Sequence, residues 1–263
     1  MRPFILQLAP LRARQSITSR VYLRQYDKWR NLYEVAQLEF CPRISMYNLV
    51  PGDIISGNIA FNGLYELDLS RELVKLSRNG GLFVDVGANM GYFSLLWAGL
   101  NPGGRVIAFE AAPRCIKLFE HNISQNKFVD QITLVPKAAG SKFGSAHFRT
   151  GPVDQTGWGG ISNVKRTDTV EVPVVRLDET LPDAVIDVLK IDVEGADTWV
   201  LHGCEELLKK RRIRKIFFEK NLARMAELGI GADDARDFLA SVGYDCIPFG
   251  RDGVEWVSYP RNM

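Results

Sequence analysis

The chain has 263 residues, of which 46% are hydrophobic and 24% charged, which suits one α/β core but not two full domains. The formal net charge is +2 and no Lys/Arg cluster is interleaved with aromatic residues, so nucleic acid is not an expected partner. No apolar run approaches the roughly 18 residues of a membrane-spanning helix.

Residues 1–45 are predicted to form a basic, helical extension in front of a main domain at 46–263. Residues 1–39 carry seven basic and three acidic side chains, and no acid precedes Asp27. Such a segment could be an organelle transit peptide, or a basic amphipathic helix that contacts a membrane surface. Aromatic and aliphatic residues predominate from Val21 onward, so we favour a helix that docks on the edge of the domain.

Residues 40–69 contain short apolar runs separated by Pro-Gly, Ser-Gly and Asn-Gly pairs. This pattern predicts small strands and turns, followed by a helix over 68–77.

The stretch 82–94, LFVDVGANMGYFS, predicts a strand, a tight turn and the start of a helix. Glycines suit such a turn because a positive φ angle, or close approach of the backbone to a ligand, excludes a Cβ atom. The turn and the helix start also offer backbone N–H groups that could hold an anionic group. A nucleotide-like cofactor is the first hypothesis.

The spacing G-x-N-x-G differs from the G-x-G-x-x-G of dinucleotide-binding proteins. Asp85, at the end of the strand, would repel a pyrophosphate but suit the ammonium and sulfonium groups of S-adenosylmethionine. A second strand, 105–110, ends in Glu110, 25 positions after Asp85. This is close to the roughly 20-residue spacing at which an acid reaches the ribose hydroxyls of a cofactor.

The remaining sequence alternates between helical and extended patterns. A helix begins at Pro113 and places Ile116, Phe119 and Ile123 on one face. Another follows Gly195 and buries Val200, Leu201, Cys204, Leu207 and Leu208. The predicted strands are 132–135, an extended segment within 138–149, 170–175 near a sheet edge because of Pro173, 184–192, 214–219, and a closing hairpin of 244–249 and 254–259 joined by G-R-D-G.

The segment 150–163 is glycine-rich and polar, and Trp158 lies at its centre. Loops of this length inside a compact domain are often functional, and an exposed aromatic side chain could stack on a sugar or another planar acceptor. The alternative is a hairpin tip with Trp158 packed on the core. Just before this loop, Ala138 and Ala139 are small enough to admit an adenine ring, although small residues also simply pack.

Three motifs occur in order along the chain: VDVGANMGYFS at 84–94, FEAAP at 109–113, and VLKIDVEGAD at 188–197 with LHG just after. From about Met46 to Glu219 the chain resembles the FkbM family of S-adenosylmethionine-dependent methyltransferases. The resemblance implies a class I methyltransferase (Rossmann-like) α/β fold, with a seven-stranded mostly parallel sheet, helices on both faces and a C-terminal antiparallel hairpin. It also implies methylation, most often of a hydroxyl on a sugar or a polyketide-like natural product.

The predicted ligand contacts divide into two groups. Contacts to S-adenosylmethionine are expected from Asp85, Gly87, Ala88, Asn89, Gly91, Glu110, Ala111 and Ala139. Contacts to the acceptor are expected from Glu66, Trp158 and Glu219. The family places the segment around Tyr65 and Glu66 beside the cofactor, so both could reach its methionine end; an exposed turn pair is the alternative.

Asp192 ends a predicted strand and Glu194 comes just after it, and the two are the candidate general bases for deprotonating an acceptor hydroxyl. Alternatively they hold a divalent metal, or cap the helix that begins near Ala196. Several acids fall at the carboxyl ends of strands, where ligands bind in open parallel sheets. So many negative charges in one cleft must be balanced by the cationic cofactor, by Lys190 or by a metal. Otherwise one carboxyl must stay protonated through a raised pKa.

Two other functions are considered. A nicotinamide-dependent sugar dehydrogenase or epimerase is disfavoured because the chain contains no Y-x-x-x-K pair. A non-catalytic cofactor-binding module has no need for crowded carboxylates. The four cysteines lie far apart without a C-x-x-C pair, which predicts reduced thiols and a cytoplasmic protein rather than a zinc site.

Overall fold

The computed structural model describes residues 2–251 and 253–261. The strands in these residues are β1 (Val35–Gln37), β2 (Ser45–Tyr47), β3 (Leu82–Val86), β4 (Arg105–Phe109), β5 (Ile132–Val135), β6 (Ala138–Ala139), β7 (Gly144–Arg149), β8 (Gly160–Ser162), β9 (Thr169–Val175), β10 (Val188–Ile191), β11 (Ile216–Glu219), β12 (Tyr244–Pro248) and β13 (Glu255–Pro260). The α-helices are α1 (Phe4–Leu8), α2 (Leu11–Ile17), α3 (Arg30–Glu34), α4 (Ile54–Asn62), α5 (Leu67–Leu76), α6 (Tyr92–Leu100), α7 (Pro113–Gln125), α8 (Leu177–Thr180), α9 (Asp197–His202), α10 (Glu205–Lys209), α11 (Leu222–Leu228) and α12 (Asp234–Ser241).

The core of the fold is a seven-stranded sheet in the order β12-β13-β11-β10-β3-β4-β5. The strands from β11 to β5 run parallel, and β13 is antiparallel to both β11 and β12. This arrangement confirms the expected mostly parallel α/β sheet and its C-terminal antiparallel hairpin. Asp252, in the predicted G-R-D-G connection, lies outside the described residues, as do Met1, Asn262 and Met263 at the ends of the predicted segments.

Helices cover both faces of the sheet, which explains why the central strand β3 is buried along its whole length. Phe83 stacks on Trp97 of α6 on one face, with ring centroids 5.3 Å apart. Val84 belongs to the cluster on the other face, with Leu239 of α12. Because alternate strand residues point to opposite faces, Asp85 lies on the side of Phe83, toward α6.

A second, four-stranded sheet has the order β6-β9-β7-β8, and it corrects two predictions. The segment 150–163 is not a continuous loop, because Gly160–Ser162 pairs with β7 and Thr156–Trp158 forms a 3-10 turn. Strand β9 is not at an edge, because it lies between β6 and β7. Pro173 is tolerated there because β6 pairs only with Val174 and Val175.

Helix α4 replaces the small strands predicted around 54–62. Asp53 caps it, accepting a hydrogen bond from the Ser56 N–H at 2.7 Å, and Gly63 ends it with a φ of 70°. The helix predicted after Gly195 is also different, because it divides into α9 and α10. The five residues expected to be buried there are buried all the same.

The N-terminal segment is mostly helical as far as Glu34. Leu6, Leu32 and Tyr33 are buried in the main core cluster, and the Tyr22 and Phe61 rings stack with centroids 5.2 Å apart. The segment therefore packs against α4, while the domain boundary at residue 45 stays a prediction. Within the described part of the chain, no helix combines the length and apolarity needed to cross a membrane.

Candidate functional site

A cleft of about 510 Å³ opens at the carboxyl ends of β3, β4, β10 and β11, where ligands bind in open parallel sheets. Most of the predicted site residues line it: Glu66, Gly87, Ala88, Asn89, Glu110, Ala111, Ala139, Trp158, Asp192, Glu194 and Glu219. Asp85 and Gly91 are outside this lining. Eleven of the predicted contact residues thus surround one cleft, and the ligand contacts themselves stay predictions.

The turn after β3 forms one wall of the cleft, with positive φ angles at Gly87 (76°) and Asn89 (52°). Its N–H groups are already used, however. Those of Gly87 and Ala88 donate to the Phe109 carbonyl at 2.9 and 3.0 Å, and that of Gly91 donates to the Ala88 carbonyl at 2.8 Å. These N–H groups of the turn therefore fix its shape rather than being free for an anion, and an anion contact at the start of α6 stays a prediction.

The two glycines of this turn have packing reasons of their own. A Cβ atom on Gly87 would lie 1.8 Å from the Asp192 carbonyl oxygen, and one on Gly91 would lie 2.1 Å from the Phe119 ring. Gly87 thus brings the turn against the end of β10. Gly91 leaves room for the Phe119 ring of α7.

Asp85 is 0% exposed and lies behind the cleft wall. It accepts a hydrogen bond from Ser94 Oγ at 2.7 Å, and its other oxygen is 3.5 Å from Lys190 Nζ. Burial raises the pKa of Asp85, and the charge of Lys190 opposes that rise. The prediction of a direct Asp85 contact with a cationic cofactor therefore does not fit this position, because its partner is a protein cation.

Glu110, directly after β4, is held by main-chain groups. Its carboxylate accepts N–H bonds from Asn89, Ala111 and Ala112 at 2.7 to 2.9 Å. Burial raises its pKa, and these three donors oppose that rise. A carboxylate has about four acceptor positions, so one remains for a ligand hydroxyl. The predicted ribose contact is thus geometrically open.

The wall beyond Glu110 is apolar and made of small side chains. Ala111 and Ala138 belong to one buried cluster with Phe148 of β7, and Ala139, the next residue after Ala138, also lines the cleft. This gives a flat ring a place to lie. The sequence did not single out Phe148, whose only signal is its place in an extended segment.

Asp192 and Glu194 lie on the loop after β10. Asp192 Oδ2 is 3.4 Å from Lys190 Nζ, and Glu194 Oε2 accepts a hydrogen bond from Asn221 Nδ2 at 3.0 Å. Helix α9 has no side-chain cap, so the capping alternative is not realised. Glu194 has a φ of 55°, a backbone conformation that is uncommon for this residue and concentrates at functional sites.

Four acids around Asp192 have raised pKa values. Burial, followed by the charge of Asp192, raises the pKa of Glu194 to about 7. The same two causes raise the pKa of Glu219 and of Glu66. Burial also raises the pKa of Asp197 to about 7. Carboxyls with raised pKa values in a cleft are typical of acid-base chemistry.

Asp192 and Glu194 were also considered as metal ligands. Among the residues that the structure describes, no group of three or more His, Cys, Asp or Glu side chains has an arrangement that could hold a metal ion. A metal at Asp192 and Glu194 therefore stays a prediction without further protein ligands to support it.

Trp158 lies at the rim of the cleft and is 56% exposed, so the alternative in which it packs on the core is wrong. Its 3-10 turn is held by Asp53, which accepts the Thr156 N–H at 2.9 Å. Gln155 Nε2 also donates to the Gly52 carbonyl at 3.0 Å. The sequence missed the role of Asp53, although an acid three positions before Ser56 is a helix-cap signal.

Comparisons with known proteins found similar methyltransferases. A family model described as the methyltransferase FkbM domain matches residues 85–246. Methyltransferase sdnD of Sordaria araneosa is 28% identical over 162 residues, covering 47% of this chain and 60% of that protein. Methyltransferase 1 of Beauveria bassiana is 28% identical over 146 residues, covering 47% and 58%. The match thus spans about three fifths of the length of these relatives.

The fold is similar to the crystal structure of methyltransferase FkbM from Methylobacillus flagellatus. The TM-score is 0.50 at 14% sequence identity, and the match covers 90% of this chain and 59% of that one. At this identity the likeness concerns the fold alone.

Proposed function

The chain belongs to the FkbM methyltransferase family, and we propose that it transfers the methyl group of S-adenosylmethionine to a hydroxyl oxygen. The observation that carries the proposal is the excess of carboxyl groups over cations in the cleft lining, which remains even though Glu66 and Glu219 hold their protons through raised pKa values. The lining carboxyl side chains are Asp53, Glu66, Glu110, Asp192, Glu194, Glu219 and Glu255, and the lining cations in the described residues are Lys137 and Lys190. Such a cleft favours a cationic cofactor and opposes the pyrophosphate of NAD.

The two ends of the cleft suit the two ends of this cofactor. The Ala111, Ala139 and Phe148 wall accepts the adenine ring, and the remaining acceptor position of Glu110 suits a ribose hydroxyl. The opposite end, near Asp192, is acidic and suits the sulfonium and ammonium groups. S-adenosylmethionine supplies the electrophilic methyl group when bound.

The protein's part in the reaction is to position the acceptor and remove its proton. Holding an acceptor oxygen in line with the methyl group lowers the barrier by several kcal/mol. We assign the proton acceptor to Glu194, because burial raises its pKa to about 7, near the pH at which a general base works best. We assign to the Asp192 carboxylate the role of facing the positively charged sulfonium of the cofactor.

The proposed acceptor is a hydroxyl on a sugar, first a saccharide unit of a cell-surface glycan or glycolipid, with a secreted natural product as the alternative. Both classes rest on family analogy. Trp158 supports them, because an exposed aromatic ring at the rim can stack on a sugar face.

Cofactor identity is tested by calorimetry on the purified protein. We expect binding of S-adenosylhomocysteine and no response to NAD, because the acidic cleft repels pyrophosphate. Binding of NAD without a response to S-adenosylhomocysteine would contradict the proposal.

The acceptor is identified by incubating the protein with methyl-labelled S-adenosylmethionine and extracts of its own cells. We expect label in a glycan, a glycolipid or a small hydroxylated product. Label in protein or nucleic acid would overturn the hydroxyl assignment, and cofactor binding without any labelled product would favour a non-catalytic module.

A further inference from the structure

The ammonium group of Lys190 connects three separate parts of the cleft wall. Lys190 Nζ donates to the Gly87 carbonyl at 3.1 Å. It lies 3.5 Å from Asp85 Oδ1 and 3.4 Å from Asp192 Oδ2, and 5.3 Å from the centre of the Phe93 ring. The side chain is only 4% exposed, so these groups take the place of water around the charge.

The strand register explains how a lysine is accommodated in so buried a place. Lys190 is the partner of Asp85 in the parallel ladder between β10 and β3. Burying a charge is costly unless it is paired and hydrogen-bonded. Asp85, fixed in turn by Ser94 at 2.7 Å, supplies the opposite charge from behind the wall. The ammonium can therefore hold a second carboxylate, Asp192, on the cleft side.

We propose that Lys190 is a positioning residue that holds the Asp192 carboxylate against the cofactor turn, so that this carboxylate faces the sulfonium of bound S-adenosylmethionine. The inference rests on the proposed function above. The other lysine of the cleft wall cannot replace it, because Lys137 is exposed and follows β5, three places from β10 in the sheet.

The affinities for S-adenosylmethionine and S-adenosylhomocysteine separate this role from a simple charge effect. The two ligands differ by the methyl group and the sulfonium charge. If Lys190 acted only as a nearby positive charge, its removal would favour S-adenosylmethionine, because like charges repel. If Lys190 positions Asp192, its removal releases that carboxylate and disfavours S-adenosylmethionine. The two roles predict changes of opposite sign.

The test is calorimetry with both ligands on the full chain and on Lys190→Met, Asp192→Asn and the double variant. We expect each single variant to lower the preference for S-adenosylmethionine by at least about threefold, within the coupling range of neighbouring groups. The double variant should lower it no further than Asp192→Asn alone. Lys190→Arg, which keeps the charge and the donors, should retain more of the preference than Lys190→Met. An unchanged or increased preference in Lys190→Met overturns the inference.

A matched variant guards against misfolding, because Lys190→Met leaves Asp85 buried without its counter-ion. Lys190→Met/Asp85→Asn removes the charges of both partners, which is far less destabilising than removing one, and it should show the same loss of preference. Failure of both variants to fold would assign Lys190 to the fold alone and overturn the inference. A wild-type chain that binds neither ligand would instead contradict the proposed function.

Discussion

Glu110 and Glu194 lie in the same cleft but are held in different ways. Glu110 accepts three main-chain N–H bonds at 2.7 to 2.9 Å. Glu194 accepts one side-chain bond, from Asn221 at 3.0 Å, and its strongest charged neighbour is the carboxylate of Asp192. The backbone therefore fixes the cofactor side, whereas side chains and repulsion between like charges set the acceptor side.

The same contrast extends to the walls around these two glutamates. On the cofactor side, Gly87 leaves no space even for a methyl group. On the acceptor side, Trp158 stands at the rim with 56% of its surface exposed. We therefore expect changes on the cofactor side to affect folding and cofactor binding together, and changes on the acceptor side to affect turnover or specificity while the fold persists.

The largest effect is expected from Gly87→Ala. The new Cβ atom would lie 1.8 Å from the Asp192 carbonyl oxygen, in a residue whose φ is 76°, so the turn and the end of β10 must separate. We expect a loss of at least about 2 kcal/mol in the free energy of unfolding, and no measurable binding of S-adenosylhomocysteine. Urea denaturation and calorimetry measure the two effects.

Gly103→Ala is the matched control for this change, because a Cβ atom there meets nothing within 4 Å. It should leave stability and cofactor binding nearly unchanged. If Gly87→Ala behaved like the control, the close approach between the turn and β10 would not be a constraint on this site.

On the acceptor side, Asp192→Asn and Glu194→Gln should keep the fold and lose the chemistry. We expect Glu194→Gln to lower turnover at least about 100-fold, the usual effect of a general base, and Asp192→Asn to lower it as well, because its carboxylate is assigned to face the sulfonium. Binding of S-adenosylhomocysteine, which lacks the sulfonium charge, should stay within about tenfold, or 1.4 kcal/mol. Initial rates with labelled cofactor give the first quantity and calorimetry the second. Full activity in both variants would place the chemistry elsewhere.

The sequence predicted the parallel sheet because strands covered on both faces read as continuous apolar runs. It did not predict α4, because Pro51, Gly52 and Gly57 resemble turn signals. Gly57 lies inside the helix because a Cβ atom there would be 2.0 Å from the side chain of Leu23. That contact joins distant parts of the chain, and no local pattern indicates it.

Prediction of the candidate site was limited in the same way. The acids at strand ends located the cleft correctly, because the carboxyl ends of parallel strands meet at one edge. Which acid faces the ligand depends on register, however. Asp85 points toward α6 and pairs with Lys190, so its charge is used inside the wall. Spacing along the chain cannot reveal that pairing.

The raised pKa of Glu194, about 7 because of burial and then Asp192, predicts a pH dependence of stability. The folded chain holds this proton more tightly than the unfolded chain, in which the ordinary value is 4.5. The stabilisation of the folded chain by this bound proton is therefore fully present below pH 4.5, and it is lost as the pH rises through about 7. In Glu194→Gln, the free energy of unfolding should fall less steeply with rising pH than in the wild type, by up to about 1.4 kcal/mol per pH unit.

Urea denaturation at several pH values between about 5 and 8 measures this slope. Glu34→Gln, at an exposed position, is the control and should leave the slope unchanged. A slope that is the same in wild type and Glu194→Gln would show that this carboxyl does not hold its proton in the folded chain, and would weaken its assignment as the base.

The smallest effect is expected from Trp158→Ala, which removes the exposed ring at the rim without disturbing the contacts of Asp53 with Thr156. Stability and cofactor affinity should not change, because the ring is 56% exposed. The KM for the acceptor should rise by roughly fivefold, as the loss of one stacked ring costs about 1 kcal/mol, while kcat stays nearly constant. Val153→Ala, at a position 88% exposed in the same segment and outside the cleft lining, should change neither quantity.

Because stacking contributes equally before and during methyl transfer, an effect on KM alone would show that Trp158 selects the acceptor. If Trp158→Ala labelled the same acceptor at an unchanged rate and KM, this segment would have no part in recognition.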